Sequence, residues 1–162
     1  MSERFPPSVA QTLAAAGWRP DHSDESRGRE WGLRMAAHAT PSGRQHTVTD
    51  RAIKAYAEFG GLRVDPQADG DQEVAPSSFH LDPFLVRHSV ETLAELAEAI
   101  GAPLSPLGEE GDGTGILAID QHGRVFVLDH VGDWFLGENL DEALTTLVLG
   151  RRPAKVRADG TW

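Results

Sequence analysis

Two apolar runs, Ile116-Leu117-Ala118-Ile119-Asp120 and Arg124-Val125-Phe126-Val127-Leu128, stand either side of Gln121-His122-Gly123. This is the pattern of a β-hairpin, with Gly123 supplying the positive φ that a tight turn needs. Both runs are apolar at consecutive positions, where a half-exposed strand would alternate. A strand of that kind is covered on both faces, so the hairpin belongs in the middle of a sheet. Shortly after it, Leu140, Ala143, Leu144, Leu147 and Val148 recur at i, i+3, i+4, i+7 and i+8, the stripe of a helix packed on one side. Asn139 and Glu142 have capping-box spacing at its start, and Gly150 ends it.

The rest of the chain reads as shorter elements. Val9, Leu13 and Ala16 mark a helix from Pro7 or Ser8, stopped by Gly17 and Pro20. Asp24 or Ser26 starts a second helix through Trp31, Leu33, Met35 and His38. Thr49 caps a third with Ile53, Tyr56, Ala57 and Gly60 on one face. Leu62–Val64 and Phe79–Leu81 read as short strands around a Pro/Gly/Asp-rich stretch, 66–78, expected to be a mobile loop. A helix over 90–100, capped by Ser89, puts Glu91, Glu95 and Glu98 opposite its apolar face. These elements predict an α+β fold, a single domain over 1–150 with a mainly antiparallel or mixed sheet and helices packed around it. Residues 151–162 read as a basic C-terminal tail.

Charge is unevenly placed. Of the net −10, residues 1–62 contribute +1, residues 63–150 contribute −14 and residues 151–162 contribute +3. An acidic field repels nucleic acid and draws cationic partners, or it serves solubility alone. The folded part also lacks a basic stripe, so nucleic acid is not expected as partner, and neither is a membrane. Residues 1–7 hold no apolar core of a signal peptide, and no run approaches the ~20 apolar residues of a membrane helix. A cytoplasmic protein is the expectation.

Catalytic signatures are missing from the sequence. With no cysteine there is no disulfide, thiolate zinc site or cysteine nucleophile. No Gly-x-Ser-x-Gly elbow occurs, and Ser8, Thr49 and Ser89 suit helix caps. Gly111-Asp112-Gly113-Thr114-Gly115 lacks the Lys-Ser/Thr of a phosphate loop and precedes a strand, so it reads as a turn. Asp120, His122, Asp129, His130 and Asp133 are close in sequence, and the hairpin could bring Asp120 near Asp129, but they lack metal-ligand spacing. The expectation is therefore a protein that is not an enzyme and carries no cofactor and no metal. An unrecognised enzyme using carboxylates near Asp120 and Asp129 stands as the alternative.

The candidate partner surface is the connection Asp129–Glu138, which puts Trp134 and Phe135 in an acidic, Gly-flanked setting. Burying one aromatic removes ~150–250 Å² from water, worth roughly 4–6 kcal/mol as an upper figure. At least one of the two is therefore expected in the core, and the first reading places both there. The other reading is an aromatic anchor rimmed by Glu109, Glu110, Asp112, Asp129, Asp133 and Glu138, the composition an interface uses.

Several stretches taken together resemble a known family. They are Phe5-Pro6, Val9, Leu13 and Ala16-Gly17-Trp18-Arg19-Pro20; Ala57-Glu58-Phe59-Gly60-Gly61-Leu62, then Phe79 and Asp82-Pro83; and Gly101, Pro103-Leu104 and Pro106-Leu107-Gly108-Glu109. Leu117, Ile119-Asp120, Gly123, Val125, Ala143, Leu144, Leu147 and Gly150 follow in order. Over residues 5–150 the chain resembles the SUKH superfamily and its SUKH-3 subgroup. The chain departs around His38–Thr47, where it is longer, and the last twelve residues have no counterpart. The resemblance implies a sheet backed by helices. It also implies an immunity protein that neutralises a cognate toxin of a bacterial polymorphic toxin system, often a nuclease or nucleic-acid deaminase. A basic toxin would meet the acidic surface here. The same fold in eukaryotic cell-wall regulators leaves a non-toxin regulatory scaffold as the alternative. The matching residues are apolar, Gly and Pro, so they imply the fold and not the contact surface.

Overall fold

The apolar hairpin forms the centre of the sheet. The structure, a computed structural model, describes residues 4–68 and 70–162. Residues 1–3, at the start of the expected domain, and Asp69, in the expected loop, lie outside the described residues. The helices are α1 (Pro7–Ala15), α2 (Glu25–Ala37), α3 (Asp50–Phe59), α4 (Val90–Ile100) and α5 (Leu140–Leu149). The strands are β1 (Arg63–Val64), β2 (Phe79–His80), β3 (Leu104–Glu110), β4 (Gly115–Asp120), β5 (Val125–Asp129), β6 (Asp133–Gly137) and β7 (Ala154–Lys155). They form one antiparallel meander in chain order, with β4 and β5 fourth and fifth of seven.

Side chains alternate across these strands and feed two cores. Leu117, Ile119, Val125 and Val127 face α1, α3 and α5, joining Val9, Leu13, Tyr56, Phe59 and Leu144. Ala118, Phe126 and Leu128 face α4, joining Leu93, Leu96 and Leu104. This explains the unbroken apolar runs. α2 packs on α3 rather than on the sheet: a Cβ on Gly28 would lie 2.7 Å from the Ile53 carbonyl oxygen, and one on Gly32 2.9 Å from Ile53 Cγ1. The two glycines let the helices approach closely.

Local signals act mostly as expected. The carboxylate of Asp24 accepts from Arg27 N–H, the Thr49 hydroxyl from Ala52 N–H and the Asn139 carbonyl from Glu142 N–H. Ser89 differs: its hydroxyl donates to the Val86 carbonyl and leaves the start of α4 without a side-chain cap.

Four segments depart from the sequence expectations. β3 includes Pro106, and the ladder accommodates it with a register shift between Pro106 and Gly108. Asp129–Glu138 is not a plain connection, because Asp133–Gly137 pairs with β5 as β6. Residues 151–162, read as a basic tail, fold back onto the sheet. Ala154 and Lys155 pair with Phe135 and Trp134 as β7, Val156 is buried, and Trp162 stacks on Phe135. The 66–78 segment is strapped in part, since the Glu73 and Val74 N–H groups both donate to the Gly150 carbonyl.

Candidate functional site

The turns β3–β4 (111–114) and β5–β6 (130–132) lie at the same end of the sheet. The register there is closely determined. Phe79, Glu110, Gly115 and Asp129 are successive cross-strand partners in one row. His80, Glu109, Ile116, Leu128 and Asp133 make the next row. Neighbouring rows project to opposite faces.

The expected acidic and aromatic set is therefore divided. Glu110, Asp129 and Trp134 lie on the face carrying α5, while Glu109, Asp133 and Phe135 lie on the face carrying α4. Asp112 is exposed in the β3–β4 turn and pairs with Arg63 at 3.2 Å. Glu138 follows β6 at the far end of the sheet and does not join the others. Trp134 and Phe135 are both half-buried, each packed against the margin of a different core. Neither is a free-standing anchor. Trp134 carries the Lys155 ammonium 5.6 Å from its ring centroid, and Phe135 stacks on Trp162 at 4.7 Å.

The carboxylates differ in what they do. Asp129 Oδ1 accepts from Val131 N–H, Gly132 N–H and, at 3.4 Å, the Trp134 indole N–H, which shapes the β5–β6 turn. Asp120 is fully buried at the opposite end of the hairpin, where it accepts from His122 N–H, Arg124 N–H and the Arg124 guanidinium at 2.6 Å. The hairpin thus separates Asp120 from Asp129, by roughly 15 Å at strand rise, and does not bring them together. Burial raises the Glu110 carboxyl above the usual carboxylate range, and the Asp129 charge adds to it. Asp133 is raised by burial first, then by Asp129 and Glu95. Among the described residues no group of three or more His, Asp or Glu could hold a metal ion, and no helix is long and apolar enough to cross a membrane.

On the α5 face, the row of Glu110 and Asp129 opens into a cleft of about 500 Å³. Val127, Trp134, Leu136 and Leu147 supply apolar lining, and residues 74–77 of the strap line it too, together with Arg151, Arg152 and Lys155. Sequence reasoning found Glu110, Asp129 and Trp134 but missed the cleft. Residues 74–77 and 151–155 of its lining come from segments read as a mobile loop and a tail.

The chain is thus a single α+β domain, an open antiparallel sheet with helices on both faces and a cleft at one end. The SUKH-3 immunity protein family matches residues 5–150, and the chain belongs to that family. Membership points to a toxin-immunity role. No curated protein and no solved structure matches the chain. The matched residues stop before β7, so the family accounts for six strands and the last strand lies beyond it.

Proposed function

We propose that this protein is the immunity partner of a polymorphic toxin, which it binds and blocks in the cytoplasm without catalysis of its own. The family match over residues 5–150 carries this reading. The toxin acts on nucleic acid, as a nuclease or a deaminase, and presents a basic substrate groove. The acidic end of the sheet supports that complement: Glu109 and Asp133 share one cross-strand row on the α4 face, Asp112 is exposed in the adjoining β3–β4 turn, and Glu95 of α4 is close enough to act on Asp133. Opposite fields steer encounter and raise the association rate, and salt screens the effect. Nucleic acid and membrane are not partners in this reading, because the same field repels both.

The test is co-expression with the toxin encoded by the adjacent gene, followed by association kinetics of the purified pair. Survival of the host and a stoichiometric complex are expected. Killing despite soluble expression would overturn the immunity reading. The triple reversal Glu109→Lys, Asp112→Lys and Asp133→Lys should slow association about tenfold or more at low salt. An unchanged rate and salt dependence would overturn the acidic surface.

A further inference from the structure

The cleft on the α5 face has a volume of about 500 Å³, within the range of sites that take a compact group. Its walls are largely apolar, yet two carboxylates open into it. The Glu110 backbone carbonyl accepts from the Thr114 hydroxyl, but its carboxylate makes no hydrogen bond or ion pair with any described residue. Among the described residues, the one charge that shifts it is that of Asp129, which is of like sign. Asp129 uses Oδ1 for three donors, while Oδ2 accepts none among the described residues. Gly115 is the cross-strand partner of both, and a Cβ there would come 2.9 Å from Val127 Cγ2 and 3.6 Å from Glu110 Cβ, so the absent side chain leaves room between the two acids. A half-buried carboxylate beside another, with no base to hold it, gains from an incoming cation that brings its own donors.

We propose that this cleft seats one guanidinium- or ammonium-bearing side chain of the protein partner, its charged head between Glu110 and Asp129 Oδ2 and its hydrocarbon stem along Trp134. This rests on the reading of the protein as a toxin-binding inhibitor and says what the contact recognises. A long basic side chain suits the lining, because its stem buries on apolar surface while its head reaches the acids. The three bases of the lining, Arg151, Arg152 and Lys155, add a selection. Arg152 is tied to Glu73 through its backbone N–H and guanidinium, and Lys155 lies over Trp134, while Arg151 stands exposed. Those three bases repel a run of basic residues. The partner segment is one Arg or Lys among neutral or acidic neighbours, unlike the broad basic groove that meets the other acidic surface.

The full chain, labelled with ¹⁵N, is titrated with the acetylated and amidated peptide Gly-Asp-Arg-Gly-Gly and with the same peptide carrying citrulline, which is isosteric and neutral. The arginine peptide should move the Trp134 indole resonance and the amides of Glu110 and Asp129, and the citrulline peptide should not. Equal shifts from both peptides, or none from either, would overturn the proposal. Glu110→Gln and Asp129→Asn preserve shape and the Oδ1 acceptor, and both should abolish the shifts while leaving the rest of the spectrum in place. If either variant fails to fold, the other decides. With the cognate toxin, Glu110→Gln should weaken the complex at least tenfold. An unchanged complex refutes the cleft alone. Peptide binding together with failed neutralisation refutes the immunity reading alone.

Discussion

Trp162 lies flat against Phe135, their ring centroids 4.7 Å apart and their planes 14° from parallel, and both rings meet Phe126 edge to face. Trp162 thus closes the core between α4 and the sheet. Gly160 seats the approach, since a Cβ there would run into the Ala99 carbonyl, and Arg124 covers the outer side of Trp162 at 5.2 Å.

Trp162→Ala should lower unfolding free energy by about 1–3 kcal/mol, the aromatic contacts plus part of the apolar area. Urea denaturation followed by circular dichroism measures it. A terminus that merely trails in solvent would show no change.

The contact of α2 with α3 predicts an unusual sign for a helix substitution. Replacing Gly by Ala inside a helix ordinarily gains up to about 1 kcal/mol. At Gly28 the new methyl would sit 2.7 Å from the Ile53 carbonyl oxygen and 2.9 Å from Ala57 Cβ. Overpacking of that kind costs about 1–3 kcal/mol, so Gly28→Ala should destabilise. A rise in melting temperature would contradict the close crossing.

Asp120 has a structural task at the hairpin turn. It accepts two backbone N–H groups and the Arg124 guanidinium from a fully buried position. Asp120→Ala should cost about 2–4 kcal/mol by leaving those donors unpaired. Asp120→Asn, which keeps one acceptor oxygen, should cost less. Equilibrium denaturation of the two variants checks the order.

Glu110 makes stability depend on pH. Its folded pKa is raised by burial and by Asp129, so the folded state holds its proton more tightly than the unfolded state. The group favours folding below the unfolded carboxyl pKa, and that contribution is lost as pH rises through the raised value. Glu110→Gln should therefore stabilise the protein at pH 7 relative to the parent. The difference should shrink as pH falls through the raised value and below the ordinary carboxyl value, where protonation removes the charge from the parent as well. Melting curves across that range test it, and an equal difference at both ends would refute the uncompensated charge.

Much of the scaffold was readable from one dimension. Leu117 and Ala118, or Val127 and Leu128, are adjacent apolar residues on a strand, and only a doubly covered strand explains both. The Leu140–Val148 stripe and Gly150 gave α5 for a similar reason, since a 3.6-residue period is local. β3 escaped notice because Pro106 argues against a strand, and the bulge that tolerates it needs β4 alongside. β7 escaped notice because two exposed residues carry no pattern. Ala154 and Lys155 become a strand only where Phe135 and Trp134 offer an unpaired edge.

The surface residues followed another logic. Adjacent acids such as Glu109 and Glu110 looked like one patch, and the pleat sends them to opposite faces of the sheet. The sequence by itself determined the α+β class, the central hairpin and the acidic bias of residues 63–150, because periodicity and charge are properties of the chain. Only the tertiary structure decided which carboxylates meet. Cross-strand register alone aligns Glu110 with Asp129 across Gly115, and the packing of the 74–77 strap and β7 around them turns a row of a sheet into a cleft.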